Sequence, residues 1–339
     1  MRAAVDAQLT VGTPTGIGEY VAGLTGALRA RGIDVTELRE LNLDPWRFDR
    51  RVLWDQILLP RRARASGAQL LHCASGTIPA VSALPIVVTV HDLAWHEAQA
   101  HARRYSRWYF GRFSLRQYRR ARRILVDSDF SRRRLLTLSG LDPQSVEVVY
   151  PGVAKDFSAV VRRPDRRTVL AVGTVEPRKN LQVLVRALAR LPDTRLIAIG
   201  PHTSYATQCW DLVRQLNLEQ RVEMPGYVSR ERLLALYGSC AVAAVPSLYE
   251  GFGYAAAQAL CAGVPCVVSD RSSLPEIAGS DARVVAADDP AGWAEALAAA
   301  LEGSQDARAE QVKARASARF SWENAAQAVE RAYAASING

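Results

Sequence analysis

Pro246-Ser-Leu-Tyr-Glu-Gly-Phe-Gly-Tyr-Ala-Ala-Ala-Gln-Ala-Leu-Cys-Ala-Gly-Val-Pro265 is the stretch on which the fold turns. It follows Ala241-Val-Ala-Ala-Val, a short apolar run of the kind that forms a strand buried on both faces. Gly251 and Gly253 then open a small-residue helix that runs to Gly263. Strand, glycine turn, helix is the repeating unit of a doubly wound α/β domain. The turn leaves backbone N–H groups free at a helix N-terminus, where the macrodipole favours an anion or an oxygen-rich ligand. Glu250 stands at the mouth of that turn. A carboxylate there repels phosphate, and suits sugar hydroxyls or a developing positive charge on a sugar carbon.

The same unit recurs in both directions. Toward the C-terminus, Cys266–Ser269 and Val284–Ala286 read as strands and Leu274–Ala278, 291–302 and 307–319 as helices. Toward the N-terminus, strands are expected at 168–172, 195–200 and 222–225, with helices at 181–191, 207–216 and 230–238. The polar stretch 162–167 reads as an interdomain linker. Before it the pattern begins afresh. Met1–Leu9 is a strand candidate, 10–18 a glycine-rich turn and 17–31 a helix with Ile17, Val21, Leu24 and Leu28 on one face. Strands follow at 34–38, 70–73, 86–90, 124–127 and 146–150, and a basic, aromatic helix is expected over 103–123. The fold class is therefore α/β, with two Rossmann-like doubly wound domains of which the strand C-termini face a cleft. The expected domains are 1–163 and 164–319, with a helix over 320–339.

Composition supports two cores: 339 residues with 49% apolar side chains and no low-complexity tract. The start of the chain does not read as a signal peptide, and no segment is apolar enough to span a bilayer. Cys73, Cys209, Cys240, Cys261 and Cys266 are odd in number and include no C-x-x-C pair, so buried thiols in a reducing cytoplasm are expected. No histidine cluster, P-loop or G-x-G-x-x-G motif is present. The +9 net charge lies wholly in the first half, with twenty-five basic and fifteen acidic side chains in residues 1–164.

Seven fragments, in order, carry a resemblance: Gly16-Ile-Gly18, Thr89-Val-His-Asp-Leu93, Ser128-Asp-Phe-Ser131, Gly173-Thr-Val-Glu-Pro-Arg-Lys-Asn180, Pro225-Gly-Tyr-Val228, the 246–265 stretch and Ser273-Leu-Pro-Glu-Ile277. Together they resemble the family 4 retaining glycosyltransferases of GT-B fold. The resemblance implies roles. Arg178 and Lys179 would grip the donor diphosphate and stabilise it as it leaves. Glu250 would contact the donor sugar. His91 would lie near the transferred sugar and orient a hydroxyl, with Asp92 a turn cap. Gly16, Gly18, Gly173, Thr174, Tyr227, Val228, Gly251, Phe252, Gly253 and Tyr254 would border the donor. At the family's second acidic position, eight residues after Glu250, stands Gln258. It keeps one oxygen acceptor but loses the charge and the two-oxygen grip on ribose hydroxyls. Thr174 stands where many relatives carry a further arginine.

The resemblance further implies a metal-independent hexosyl transfer without a protein nucleophile, and no cofactor beyond the nucleotide-sugar. The Gly173–Asn180 stretch resembles mannosyltransferase-like members that use a GDP-sugar; a UDP-sugar is the alternative donor. An epimerase or phosphorylase of the same fold and a non-catalytic sugar-nucleotide-binding module are the competing readings. The helix 320–339 would pack back on the first domain.

Residues 100–134 carry twelve arginines interleaved with Trp108, Tyr109, Phe110, Phe113 and Tyr118. Such a segment forms either a solvated basic face over an aromatic core side or a surface for anionic lipid and a lipid-diphosphate acceptor. In the second case Arg116, Arg119, Arg120 and Arg123 would hold the enzyme peripherally on the inner face of the membrane. No nucleic-acid-binding module is recognisable, so a nucleic acid partner is not expected.

Overall fold

The computed structural model describes residues 1–12, 16–96, 104–165, 167–303 and 306–338. The chain divides into two compact units, Met1–Gly152 with Ser321–Gly339, and Val153–Phe320.

The first unit is built on a six-stranded sheet: β1 (Arg2–Asp6), β2 (Asp34–Leu38), β3 (Leu70–Cys73), β4 (Ile86–Val90), β5 (Arg123–Val126) and β6 (Val146–Val148). Every pairing is parallel, in the order β2-β1-β3-β4-β5-β6. Leu70, Leu71, Val87 and Val88 are wholly buried, which is why these strands read as unbroken apolar runs. The helix Gly16–Ala30 buries Tyr20, Val21, Leu24 and Leu28. Beside it packs the helix Trp322–Asn338, through Ala325, Ala326, Val329 and Tyr333. The two helices are also joined by Arg31, which pairs with Glu323 at 2.5 Å and Glu330 at 2.7 Å. Ser321 caps the second helix by accepting the Asn324 N–H at 3.1 Å.

Two parts of this unit depart from expectation. Apolar periodicity marks no element between Leu38 and Leu70, yet Phe48–Leu53, Trp54–Leu58 and Leu59–Ala65 form a continuous helical run, the middle piece a π-helix that leads into Pro60. The periodicity is masked because the buried face mixes Trp54, Leu59 and Ala63 with two charged residues. Arg51 and Asp55 are buried, with Arg51 Nη2 at 3.0 Å from Asp55 and 3.5 Å from Asp6. The helix expected over 103–123 runs continuously over 104–120 but changes type along its length: Arg104–Ser106, a π-helix Arg107–Phe113, Ser114–Gln117 and a final 3₁₀ turn Tyr118–Arg120. Arg123 already belongs to β5. Arg103 lies outside the described residues.

The second unit repeats the plan with β7 (Thr168–Val172), β8 (Arg195–Ile199), β9 (Val222–Gly226), β10 (Val242–Val245), β11 (Cys266–Ser269) and β12 (Arg283–Val285). They are all parallel, in the order β12-β11-β10-β7-β8-β9. β7, the first strand of this unit, thus lies mid-sheet, and the winding reverses between β7 and β10, the position at which open α/β sheets bind ligands. The stretch 162–167 is not a free linker. Arg162 Nη1 donates to the carbonyls of Tyr237 (2.6 Å) and Cys240 (2.7 Å), and the N–H groups of Arg163 and Asp165 donate to Gly238 and Ser239. Arg166 lies outside the described residues. Residues 153–163, assigned to the first domain from sequence, therefore group with the second unit, and the chain passes between units at Gly152–Val153 and Phe320–Ser321.

Candidate active site

In the second unit the candidate residues converge on the winding reversal. The chain leaves β7 through Gly173 and Thr174, and a 3₁₀ turn, Pro177–Lys179, presents Arg178 and Lys179. Asn180, in the left-handed conformation, ends the turn and ties it to the neighbouring loops by donating to the carbonyls of Pro246 (3.2 Å) and Ala287 (2.8 Å). The chain leaves β10 through Pro246 and Ser247 to Glu250. Between the two strand ends is a small cavity lined by Gly173, Thr174, Lys179, Val245, Pro246 and Ser247.

Glu250 is the hub. Its Oε1 accepts from Lys179 Nζ at 2.6 Å and Ser247 Oγ at 2.7 Å, and its Oε2 from Arg178 Nη1 at 3.3 Å. Burial pushes this carboxyl toward the neutral form, but the two cations and these hydrogen bonds outweigh it, so Glu250 sits below the usual carboxylate range and stays ionised. Its backbone is held too. The Glu250 N–H donates to Ser272 Oγ at 2.8 Å, and Ser273 Oγ donates to the carbonyls of Glu250 (3.0 Å) and Phe252 (2.8 Å). Arg178 is steadied by Glu176 at 2.7 Å and the Tyr249 carbonyl at 2.9 Å.

The helix Tyr254–Cys261 begins at Gly253, whose φ of 101° is costly for any other residue and whose Cβ would stand 2.8 Å from Leu274. Gly251 and Phe252 are buried in the turn before it. Gln258 lies on the buried side of this helix, its Oε1 accepting from Tyr237 OH at 3.3 Å. Tyr227 is exposed and Val228 half-buried, just beyond β9.

In the first unit, His91 follows β4 and Asp127 follows β5. His91 Nδ1 lies 2.7 Å from Asp127 Oδ2, and Nε2 lies 2.9 Å from the Ala74 carbonyl. With Asp127 ionised both partners accept, and a cationic ring satisfies both, since a neutral imidazole has one N–H; burial meanwhile raises the Asp127 pKa against the lowering effect of His91. Burial lowers the His91 pKa, but the Asp127 charge and the two hydrogen bonds outweigh it, and the net shift is upward. Tyr20 packs edge-on to the ring at 4.6 Å. Asp92 caps the following turn by accepting the Ala94 N–H at 3.0 Å. Gly16 opens its helix exposed, and Gly18 is buried within it; Thr13, Pro14 and Thr15 of the same loop lie outside the described residues.

Of the four arginines expected to form a basic face, Arg116, Arg119 and Arg120 are exposed and Arg123 is half-buried. Three of them are engaged with main-chain carbonyls: Arg119 donates to that of Ser139 (3.0 Å), Arg120 to that of Ala80, and Arg123 to that of Arg122 (3.0 Å). The exposed aromatics lie elsewhere, at Trp46, Tyr105 and Trp108.

Sequence reasoning missed Asp127 and the serines 247, 272 and 273. Asp127 and Ser273 do sit within or beside quoted motifs, but a short polar residue after a strand carries no signal of which side chain it will meet.

Two family descriptions match the chain, "Glycosyltransferase Family 4" over residues 14–157 and "Glycosyl transferases group 1" over residues 153–319. The chain belongs to the family 4 glycosyltransferases, with the GT-B fold. Among its relatives are the D-inositol 3-phosphate glycosyltransferases of Mycolicibacterium smegmatis, 32% identical over 64% of this chain and 54% of that protein, and of Mycobacterium bovis, 33% identical over 64% and 49%. The chain thus spans about half the length of these curated relatives. Similar solved structures include sucrose-phosphate synthase from Thermosynechococcus elongatus (TM-score 0.76, 22% identity, 98% of both chains). Anabaena HepE in complex with UDP-glucose is another (TM-score 0.76, 18% identity, 98% of this chain and 99% of that one).

Proposed function

We propose that the protein transfers a hexose from a UDP-sugar to a hydroxyl acceptor with retention of configuration. The observation that carries this reading is the convergence of Lys179, Arg178 and Glu250 at the winding reversal of the second sheet, beside a helix N-terminus. Two cations suit a diphosphate, and a carboxylate fixed among hydroxyls suits a sugar.

The reaction breaks the bond between the sugar anomeric carbon and the β-phosphate oxygen, and forms one from that carbon to the acceptor oxygen on the same face. The acceptor proton passes to the departing phosphate. Lys179 and Arg178 meet the charge that grows on the diphosphate, doing the work a divalent ion does elsewhere, so turnover survives chelation. No cluster of three or more metal-ligating side chains occurs among the described residues. Gln258 takes one ribose hydroxyl.

Resemblance of the Gly173–Asn180 stretch to mannosyltransferases favours a GDP-sugar. The relatives favour uridine instead, since HepE is solved with UDP-glucose, and a UDP-sugar is the donor proposed here. A thermal-shift titration with UDP, GDP, ADP and TDP in EDTA tests this. Selective stabilisation by UDP is expected. Selective stabilisation by GDP would restore the mannosyl reading, and none by any nucleotide would remove the enzymatic one.

A lipid-linked acceptor at an anionic, cytoplasmic membrane face is a second reading, favoured by exposed Trp46, Tyr105 and Trp108 in a basic unit. No helix among the described residues is long and apolar enough to cross a membrane, and all five cysteines are free and buried. Co-sedimentation with phosphatidylglycerol vesicles, lost in Trp46→Ala/Trp108→Ala, tests it; no binding by the unaltered protein would refute it.

A further inference from the structure

We infer that Glu250 is an internal competitor of the donor diphosphate, holding Lys179 and Arg178 until the nucleotide-sugar takes them over and frees the carboxylate for the sugar. The inference rests on the donor site proposed above, and adds a sequence of ionic exchanges within it.

Three observations lead to it. First, the cations assigned to the diphosphate point at Glu250: Lys179 Nζ at 2.6 Å from Oε1 and Arg178 Nη1 at 3.3 Å from Oε2. A carboxylate and a phosphate offer the same paired oxygen acceptors to Lys and Arg, so one can stand where the other will. Secondly, both ends of the exchange are shielded. The Glu250 side chain is 9% exposed, Lys179 20% and Arg178 27%. In such a site an ion pair is poorly screened, and a cation given to the carboxylate is withheld from a ligand.

Thirdly, only the side chain of Glu250 is free to exchange. Its N–H is fixed to Ser272 Oγ and its carbonyl to Ser273 Oγ, so the main chain stays in place. Ser247 Oγ, at 2.7 Å from Oε1, remains a donor to the carboxylate after Lys179 has left. The freed oxygens then accept from sugar hydroxyls, which is where a carboxylate is useful and a diphosphate is not. Cations are thus delivered to the phosphates only when a diphosphate is there to displace Glu250, and the carboxylate reaches the sugar only once they have moved.

The consequence runs against the usual effect of deleting a site residue. Glu250→Gln is isosteric, removes the competing charge, and should tighten UDP roughly tenfold while lowering kcat with UDP-glucose or another accepted UDP-sugar. Uridine, which has no phosphate, should bind both proteins equally. A double-mutant cycle separates exchange from simple repulsion. In Lys179→Ala the Glu250→Gln gain should shrink to a small fraction, because the cation for which the two anions compete is gone. Isothermal titration of UDP, in EDTA, into the four proteins measures this.

An undiminished gain in the Lys179→Ala background would overturn the exchange, leaving only general repulsion. So would an unchanged or weaker UDP Kd in Glu250→Gln when the unaltered protein binds UDP. Failure of the unaltered protein to bind any nucleoside diphosphate would instead overturn the donor-site reading beneath it. If Glu250→Gln does not fold, Glu250→Ala carries the same comparison, with the same expected sign.

Discussion

Replacing Asp127 with Asn should lower stability and change its pH dependence. The cationic His91 ring has acceptors on both nitrogens, Asp127 Oδ2 at 2.7 Å and the Ala74 carbonyl at 2.9 Å. Burial alone would push the ring toward neutrality; the Asp127 charge and the hydrogen bonds reverse this, so the folded pKa is raised. The sign follows. Below the unfolded histidine pKa of about 6.5 both states hold the proton, and the stabilisation is fully present. As pH rises past that value the unfolded state releases its proton first, and the stabilisation is lost as pH climbs through the folded pKa. Between the two pKa values the slope approaches about 1.4 kcal/mol per pH unit for this one group.

In Asp127→Asn the balance tips back to burial and the ring becomes neutral; the Asn amide can donate to Nδ1 while Nε2–H donates to Ala74, so the charge attraction is lost rather than a contact. Breaking a buried ion pair costs about 3–5 kcal/mol. The His91 side chain is 15% exposed, which moves the expectation to the lower end, near 3 kcal/mol at pH 6. At pH 9 the gap should narrow, because the unaltered protein has by then lost part of its advantage. Urea denaturation at pH 6, 7.5 and 9, with NMR titration of the five histidines, measures both quantities. Parallel stability profiles for the two proteins, or a His91 resonance titrating at or below about pH 6.5, would refute the assignment of a charged ring.

Three further outcomes are expected. Gly200→Ala, at φ 138°, would place a Cβ 2.2 Å from the Gly173 carbonyl oxygen; it should cost about 2–3 kcal/mol in denaturant melts and weaken UDP binding by shifting the loop that seats Lys179. Arg178→Ala should lower kcat by about a hundredfold, since it removes a donor whose charge is matched to the departing diphosphate; steady-state kinetics that leave kcat unchanged would remove Arg178 from the leaving-group role. Gln258→Glu should tighten UDP in a calorimetric titration by supplying a second ribose acceptor. It should also cost about 1–3 kcal/mol of stability, because the new carboxylate is buried beside the Tyr237 hydroxyl.

The plan of the second unit was legible because β7, β8, β10 and β11 are apolar runs buried on both faces, and each turn is marked. Thr168–Val172 and Cys266–Ser269 coincide with the expected strands, since an apolar run bounded by glycine, proline or serine has few other uses. The first unit was legible only where the same logic held. Between Leu38 and Leu70 the helical face turned inward carries Arg51 and Asp55, and no hydrophobic pattern records a face that is buried by charge pairing. Over 103–123 the helix was legible, since residues 104–120 are helical throughout, but its π-helical stretch Arg107–Phe113 was not, because side-chain spacing carries no mark of it.

The site shows the same boundary between what is local and what is assembled. Arg178, Lys179 and Glu250 were identifiable singly, each from a motif next to a strand end. Their mutual engagement was not, because it depends on β7 and β10 lying side by side although seventy residues separate them in the chain. The sequence reading accordingly gave the cations to the diphosphate and the carboxylate to the sugar, as if the three acted independently. With Lys179 Nζ 2.6 Å from Glu250 Oε1, they do not. A carboxylate that grips the cations must be displaced before they can hold phosphate, and its own pKa is held down by those same cations, so it cannot be removed from the competition by protonation near neutral pH. Affinity for the donor and readiness of Glu250 for the sugar are therefore one quantity, set by where two positive charges rest.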